Sequence, residues 1–250
     1  MLLEAKNISK SFPGVQALND VSFGLEPGEV HAIIGENGAG KSTLMHILSG
    51  IYKHDEGEFF IDNKQIELDS FQKAKQQGIA IVFQERSLFP NLSIAENIFG
   101  SNPPRNKKIF FQVDWSQLSS LAQDYLDKLN ITLNKSELVG ELSVARQQMI
   151  EIAKAISNDF KILILDEPTS SITLQETEIL FELIKQFKSE GRSIIYISHR
   201  LKEIKQIADR VTVLKDGEYV GTYNQENVDV DFLVSKMLGK DLENEKFNSE

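Results

Sequence analysis

Eight consecutive residues, Gly35-Glu36-Asn37-Gly38-Ala39-Gly40-Lys41-Ser42, place glycines, a lysine and a hydroxyl in the spacing G-x4-G-K-[S/T] of a P-loop. The chemistry open to such a run is the holding of a polyphosphate. Glycines let the backbone turn so that successive N–H groups converge on phosphate oxygens. A helix beginning near Lys41 adds the positive end of its dipole. Lys41 supplies a full charge to the β- and γ-phosphates, Ser42 offers a hydroxyl to Mg2+, and Thr43 can reach the α-phosphate. With 15 glycines in 250 residues, the fixed positions coincide by chance at roughly 3 in 100,000 per site, so chance does not account for the match.

A second constellation is Ile162-Leu163-Ile164-Leu165 followed by Asp166 and Glu167. Two acids at a strand end are, taken alone, more often a solvated strand end than a site. The P-loop about 125 residues upstream reverses that weighting. The first acid would then hold Mg2+ together with Ser42, and the second would polarise an attacking water. At this level the pair of motifs says ATP or GTP without choosing.

Alternating strand and helix signals must position these groups, which predicts an α/β fold. The runs 29–34, 79–83, 161–165, 193–198 and 211–214 read as strands, with a helix from Lys41 to about Ser49 after the glycine-rich turn. Ile179, Leu180, Leu183, Ile184 and Phe187 fall on one helix face, closed by Gly191. Asp216-Gly217 predicts a hairpin between 211–214 and 218–223. From about Pro90 to Ser157 helix signals dominate. Ser93-Ile94-Ala95-Glu96 is a capping box, and Asp114 caps a helix with apolar positions Leu118, Leu121, Tyr125, Leu126 and Leu129. Residues 102–108 read as a polar loop, and Asp241–Glu250 as a charged tail expected to fray.

Composition narrows the class. Lys plus Arg is 27 against 37 for Asp plus Glu, a formal charge of −10, with 41% apolar and 26% charged residues. That is globular, and too acidic for a sequence-independent nucleic-acid coat or for direct adhesion to anionic lipid. With no cysteine there is no disulfide, thiolate zinc site or cysteine nucleophile. The start Met1-Leu2-Leu3-Glu4-Ala5-Lys6 lacks the apolar stretch of a signal peptide. The longest apolar runs fall far short of the ~20 residues of a membrane helix, so membrane work would need another chain as anchor.

Further motifs carry a resemblance. Asp166-Glu167-Pro168-Thr169-Ser170, Gln84 directly after a strand, His199 after Ile194–Ser198, and Phe12 near the N-terminus stand in the order seen in ATP-binding subunits of ABC transporters, which the chain resembles over nearly its whole length. Alone, a histidine after a strand is more often a structural hydrogen-bonder, a phenylalanine more often core, and a glutamine a loop residue; their joint order makes the match. The resemblance implies a P-loop ATPase core with a mainly parallel sheet, an N-terminal antiparallel β portion and an inserted helical lobe. It places the core at 1–89 and 158–223, the lobe at 90–157 and a C-terminal extension at 224–250.

The same resemblance assigns roles. Glu167, His199 and Gln84 would be catalytic; Ser42, Gln84 and Asp166 would hold Mg2+. Phe12 would face adenine, and Gly35, Glu36, Asn37, Gly38, Ala39, Gly40, Lys41, Ser42 and Thr43 would bind the ATP phosphates. Two such domains meet head to tail around ATP, so Ser143 would serve a partner's nucleotide. Here the family's L-S-G-G-Q reads Leu142-Ser143-Val144-Ala145-Arg146, which replaces both glycines and restricts backbone approach; Ser143 reads equally as a helix cap. Thr173 stands in place of the D-loop aspartate.

These departures, with segments 11–18, 90–97, 142–154 and 197–201, are similar to the N-terminal half of tandem ATP-binding proteins from bacterial sugar importers of the ribose, galactoside, xylose and autoinducer-2 kind. Such proteins run to about twice this length, so a fragment and a short subunit both stay open. The implied partners are a second ATP-binding domain, membrane permease subunits and, indirectly, a periplasmic or extracellular solute-binding protein, with the chain peripheral on the cytoplasmic membrane face and no nucleic-acid partner. Rival readings are a non-transport ABC ATPase, a nucleotide-dependent regulatory switch, and an unrelated P-loop kinase or helicase.

Overall fold

Val30–Ile34, Ile162–Asp166 and Ser193–Ile197 are buried at every position. Strands covered on both faces belong inside a parallel sheet, and these three form its centre. The computed structural model describes residues 1–85, 87–100, 102–106 and 112–239. Along the chain the elements are β1 (Leu3–Phe12), β2 (Val15–Leu25), β3 (Val30–Ile34), α1 (Lys41–Leu48), β4 (Glu56–Ile61), β5 (Lys64–Ile66), α2 (Phe71–Gln76), β6 (Ile79–Val82), α3 (Ile94–Phe99), α4 (Trp115–Lys128), α5 (Val144–Ile156), β7 (Ile162–Asp166), α6 (Leu174–Ser189), β8 (Ser193–Ile197), α7 (Leu201–Ile207), β9 (Arg210–Lys215), β10 (Glu218–Asn224) and α8 (Val230–Leu238).

The chain divides into two compact units. One comprises Met1–Ile81, Phe160–Glu167 and Gln186–Glu250, of which 240–250 lie outside the described residues. It carries a six-stranded sheet in the order β10-β9-β3-β8-β7-β6 and a four-stranded sheet in the order β2-β1-β4-β5. Within the first, β9, β3, β8 and β7 pair in parallel, and β10 returns antiparallel through the Asp216-Gly217 turn. The second sheet is antiparallel throughout. The face of α1 bearing Leu44, Met45, Ile47 and Leu48 is fully buried in one core with Leu3, Ile8 and Leu18, with Phe59, and with Ile164 and Ile195. Residues of both sheets thus fix the helix that follows the glycine-rich turn. The histidine buried within β3 is satisfied at both ring nitrogens: His31 lies 2.9 Å from Glu29 Oε1 through Nδ1 and 2.7 Å from Thr212 Oγ1 through Nε2.

The other unit comprises Val82–Asp159 and Pro168–Lys185. It is helical, with α3, α4 and α5 opened by local caps. Ser93 and Glu96 exchange both capping-box hydrogen bonds, Asp114 accepts from the Gln117 amide, and Ser143 accepts from the Arg146 amide. α6 begins in this unit under a second reciprocal cap: the Thr173 amide and hydroxyl both donate to Glu176 Oε2, and the Glu176 amide donates to Thr173 Oγ1. Thr173 therefore has a local structural task.

Sequence-derived strand ends shift by one residue or so: β3 begins at Val30, β7 at Ile162, and β9 spans Arg210–Lys215. Residue patterns alone carry no signal for β1, β2, β4, β5, α2, α7 or α8, which the structure shows at Leu3–Phe12, Val15–Leu25, Glu56–Ile61, Lys64–Ile66, Phe71–Gln76, Leu201–Ile207 and Val230–Leu238. The expected fraying of Asp241–Glu250, and positions 107 and 108 of the expected polar loop, lie outside the described residues. Among the described residues no helix is long and apolar enough to cross a membrane.

Candidate functional site

Local backbone chemistry builds the phosphate cradle between β3 and α1. Gly40, the residue before α1, has φ +96°, and a Cβ there would lie 2.6 Å from Leu18 and 2.7 Å from the Ala17 carbonyl. A Cβ on Gly35 would strike the Leu214 carbonyl. Both positions therefore demand glycine for space, and Gly40 for conformation as well. The N-cap of α1 makes no side-chain hydrogen bond and its first turn holds no acid, so this helix end presents its amides and its positive dipole uncompensated. Ala39 is buried, whereas Glu36, Asn37, Gly38 and Ser42 are exposed and Thr43 is half-buried.

Lys41 is 9% exposed, and its ammonium donates to the carbonyls of Gly35 at 2.8 Å and Glu36 at 2.9 Å. It curls over the loop it must serve. Burial depresses its ordinary pKa, while the Glu167 and Asp166 carboxylates push it back up. That coupling brings one cation and two acids, distant in sequence, into a single electrostatic cluster within one unit.

The acids differ in environment. Asp166 ends β7, opposite Ile197 of β8, and is 5% exposed. Burial pushes its carboxyl up to about 6, Glu167 adds to the rise, and Lys41 opposes it. Glu167 has φ +48°, a left-handed backbone that is strained for a non-glycine residue and recurs at functional sites. Its own amide donates to the Ile197 carbonyl at 3.0 Å. Glu167 Oε1 accepts from the His199 amide at 3.1 Å and sits 2.9 Å from the His199 ring Nδ1. Its other oxygen, Oε2, is buried without a hydrogen-bond partner. The His199 ring remains 61% exposed. One carboxylate oxygen is thus anchored and the other left available as an acceptor.

The pH consequence of Asp166 can be worked out. The folded, nucleotide-free chain keeps this proton up to about pH 6, the unfolded chain only to about 3.8. Folding therefore takes up a proton in that window, and stability declines as pH rises through it. Asp166→Asn removes the decline. In thermal melts without metal or nucleotide, the variant should gain about 2–3 kcal/mol relative to wild type between pH 4 and 6.5. A wild-type-to-variant difference that stays constant across this range would contradict the assignment.

The donor set fits Mg2+. A hydroxyl at Ser42 and a buried, charge-strained carboxylate at Asp166 are hard oxygen donors, and the orphaned Glu167 oxygen shows unmet polar capacity in the cluster. Among the described residues no group of three or more His, Cys, Asp or Glu side chains could hold a metal by itself. Mg2+ accepts such sparse protein ligation because phosphate oxygens and water complete its shell.

The remaining candidates divide between the units. Phe12, at the end of β1, is 37% exposed in the same unit as Lys41 and packs edge-on against Tyr52, with ring centroids 5.3 Å apart. Tyr52 carries no motif; its signal is an aromatic left at the surface just beyond α1. Gln84 is exposed just past β6, and Ser143 caps α5; both belong to the other unit. Val144, in place of a glycine, is 49% exposed at the start of α5.

Residues 18–170 match the ABC transporter family. The chain is similar to a putative ribose/galactose/methyl galactoside import ATP-binding protein 1 of Agrobacterium fabrum, 49% identical over 243 residues that cover 97% of this chain and 48% of that protein. It is 46% identical to ribose import ATP-binding protein RbsA 1 of Burkholderia ambifaria, over 96% of this chain and 47% of that one. The chain thus spans about half the length of the curated relatives it matches. A solved ATP-binding cassette of an ABC transporter, crystallised in its ADP conformation, resembles it with a TM-score of 0.80 and 25% identity, over 96% of this chain and 99% of that one.

Proposed function

Because this chain belongs to the ABC transporter family, we propose that it is an ATP-hydrolysing, energy-coupling domain of a bacterial importer for a monosaccharide or related solute. The single observation carrying the hydrolytic part is the division of labour within Glu167: Oε1 is held by His199 and buried Oε2 has no partner. The sugar is supported by the names of the similar proteins, which are ribose and ribose/galactose/methyl galactoside import ATP-binding proteins.

In this reading Lys41 and the amides of residues 35–43 hold the triphosphate, and Phe12 lies against the adenine. Ser42 and Asp166 would hold Mg2+, with Gln84 the further ligand the family resemblance implies, and the ion would supply positive charge against the phosphates. Glu167 Oε2 accepts a proton from the attacking water, so that water and not an alcohol is the phosphoryl acceptor. His199 keeps Oε1 fixed and steadies the transferring phosphoryl group with its exposed ring. Preorganised donors, rather than a covalent intermediate, stabilise the developing charge.

A second ATP-binding domain, in tandem or as a partner, would complete the nucleotide sandwich, and Ser143 would face the nucleotide held by that domain. The helical segment 90–157 and Gln84 would pass nucleotide state to permease subunits, placing the chain on the cytoplasmic membrane face with a solute-binding protein acting upstream. Calorimetry with Mg·ATP tests the foundation, and one nucleotide per chain is the expected stoichiometry. Reconstitution with the permease of a ribose or galactoside importer and a second ATP-binding half should then give ATP-dependent uptake of ribose or a galactoside into vesicles. Absence of nucleotide occupancy would remove the whole reading; nucleotide binding without sugar uptake would remove only the solute.

A further inference from the structure

The geometry points to Tyr52 and Asp55, in the stretch between α1 and β4, as positioning residues that hold the Phe12 ring in the orientation a nucleobase stacks on. This rests on the proposed role of Phe12 against adenine.

Phe12 ends β1 at the mouth of the β1–β2 hairpin, where it pairs with Val15. A ring at a hairpin tip is free to swing unless something holds it, and a swinging ring loses orientational freedom when a base stacks on it, which weakens binding. Three contacts from one short segment hold this ring. Tyr52 meets it edge-on, at 5.3 Å and 71°. Asp55 Oδ2 accepts from the Ser11 amide at 2.7 Å, fixing the backbone immediately before Phe12. Asp55 Oδ1 accepts from the Lys10 ammonium at 2.7 Å, and that ammonium stands 5.5 Å over the Phe12 ring. The Asp55 amide, donating to the Ser9 carbonyl at 2.9 Å, closes the bracket.

The bracket hangs from the phosphate-binding helix. The Tyr52 amide donates to the His46 carbonyl at 3.0 Å, and the two rings lie 4.9 Å apart. His46 is in the last turn of α1, whose first residues are Lys41 and Ser42. The positions of base platform and phosphate cradle are therefore linked through Tyr52. Both rings stay 37% exposed, an aromatic surface that folding alone does not need.

Calorimetry on the whole chain separates positioning from mere stabilisation by using two probes, Mg·ATP and Mg·tripolyphosphate, which share phosphates but not a base. Tyr52→Ala should weaken ATP binding about 3- to 10-fold and leave tripolyphosphate within about 2-fold. Asp55→Asn should do the same more mildly, and Tyr52→Phe, which keeps the ring edge, should restore wild-type affinity. Tyr52→Ala added to Phe12→Ala should cost nothing beyond Phe12→Ala alone, since both act through one ring. Equal losses for the two probes, or an additive double variant, would overturn the positioning role. If Phe12→Ala itself leaves ATP affinity unchanged, the base-stacking reading falls and this inference with it; if Phe12→Ala weakens ATP and Tyr52→Ala does not, only the inference falls.

Discussion

Glu167→Gln is expected to bind Mg·ATP within a few-fold of wild type while releasing phosphate about 100- to 10,000-fold more slowly, the range associated with losing a general base. The geometry makes this substitution unusually clean. A glutamine oxygen can still accept the His199 amide that Glu167 Oε1 accepts at 3.1 Å, and the backbone at φ +48° carries the same branching at Cβ. What changes is the second position, where a buried acceptor without a partner becomes an amide nitrogen that donates and takes no proton. Binding should survive because Lys41 and the glycine-rich amides are untouched. Phosphate release and calorimetric affinity, measured on the same preparation, read the two halves of the claim. Turnover near wild type would show that the proton goes elsewhere, with His199 the next group to test.

The second large effect belongs to Lys41. Lys41→Ala should weaken ATP about 10- to 100-fold, because hydrogen bonds between charged groups contribute ~1.5–3 kcal/mol each. The side chain is 9% exposed and already bends back onto the Gly35 and Glu36 carbonyls, so little conformational freedom remains to be lost when phosphate arrives. Its removal also takes away the cation that opposes the raised Asp166 pKa. The truncated chain should consequently hold the Asp166 proton to higher pH, and its ATP affinity should depend more steeply on pH between 6 and 8 than that of wild type. A Lys41→Ala chain with unaltered ATP affinity would mean that the backbone amides suffice and that the ammonium serves only to brace the loop.

Several local features need no tertiary knowledge. The Ser93–Glu96 box and the Asp114 cap depend on residues three apart, and both form as read. The central strands β3, β7 and β8 are legible because burial on both faces leaves mostly apolar runs, with His31 the polar exception inside β3. β1 and β2 are not, since Asn7 at φ +52° and Asp20 at φ +54° accompany register shifts that break the two-residue alternation; only the family resemblance pointed to an antiparallel N-terminal portion. The Thr173–Glu176 cap obeys the same three-residue rule as Ser93–Glu96, and its residues carry the same local signal.

By itself, then, the sequence determined the phosphate cradle, because Gly35 to Thr43 are contiguous and their chemistry follows from glycine torsions, one ammonium and a helix end. It also determined which acids stand at a strand end. Only the tertiary structure decided how those acids differ: Glu167 meets His199 across 32 residues, and Asp166 takes its raised pKa first from burial, which neighbouring Glu167 reinforces and Lys41, far upstream in the sequence, opposes. It alone decided that Tyr52 reaches back 40 positions to hold Phe12 and Asp55 reaches back 44 to hold Ser11. The physical reason is common to all three cases. Desolvation and side-chain contact depend on which segments the sheets bring side by side, and that pairing is a property of the whole packed chain and not of any window along it.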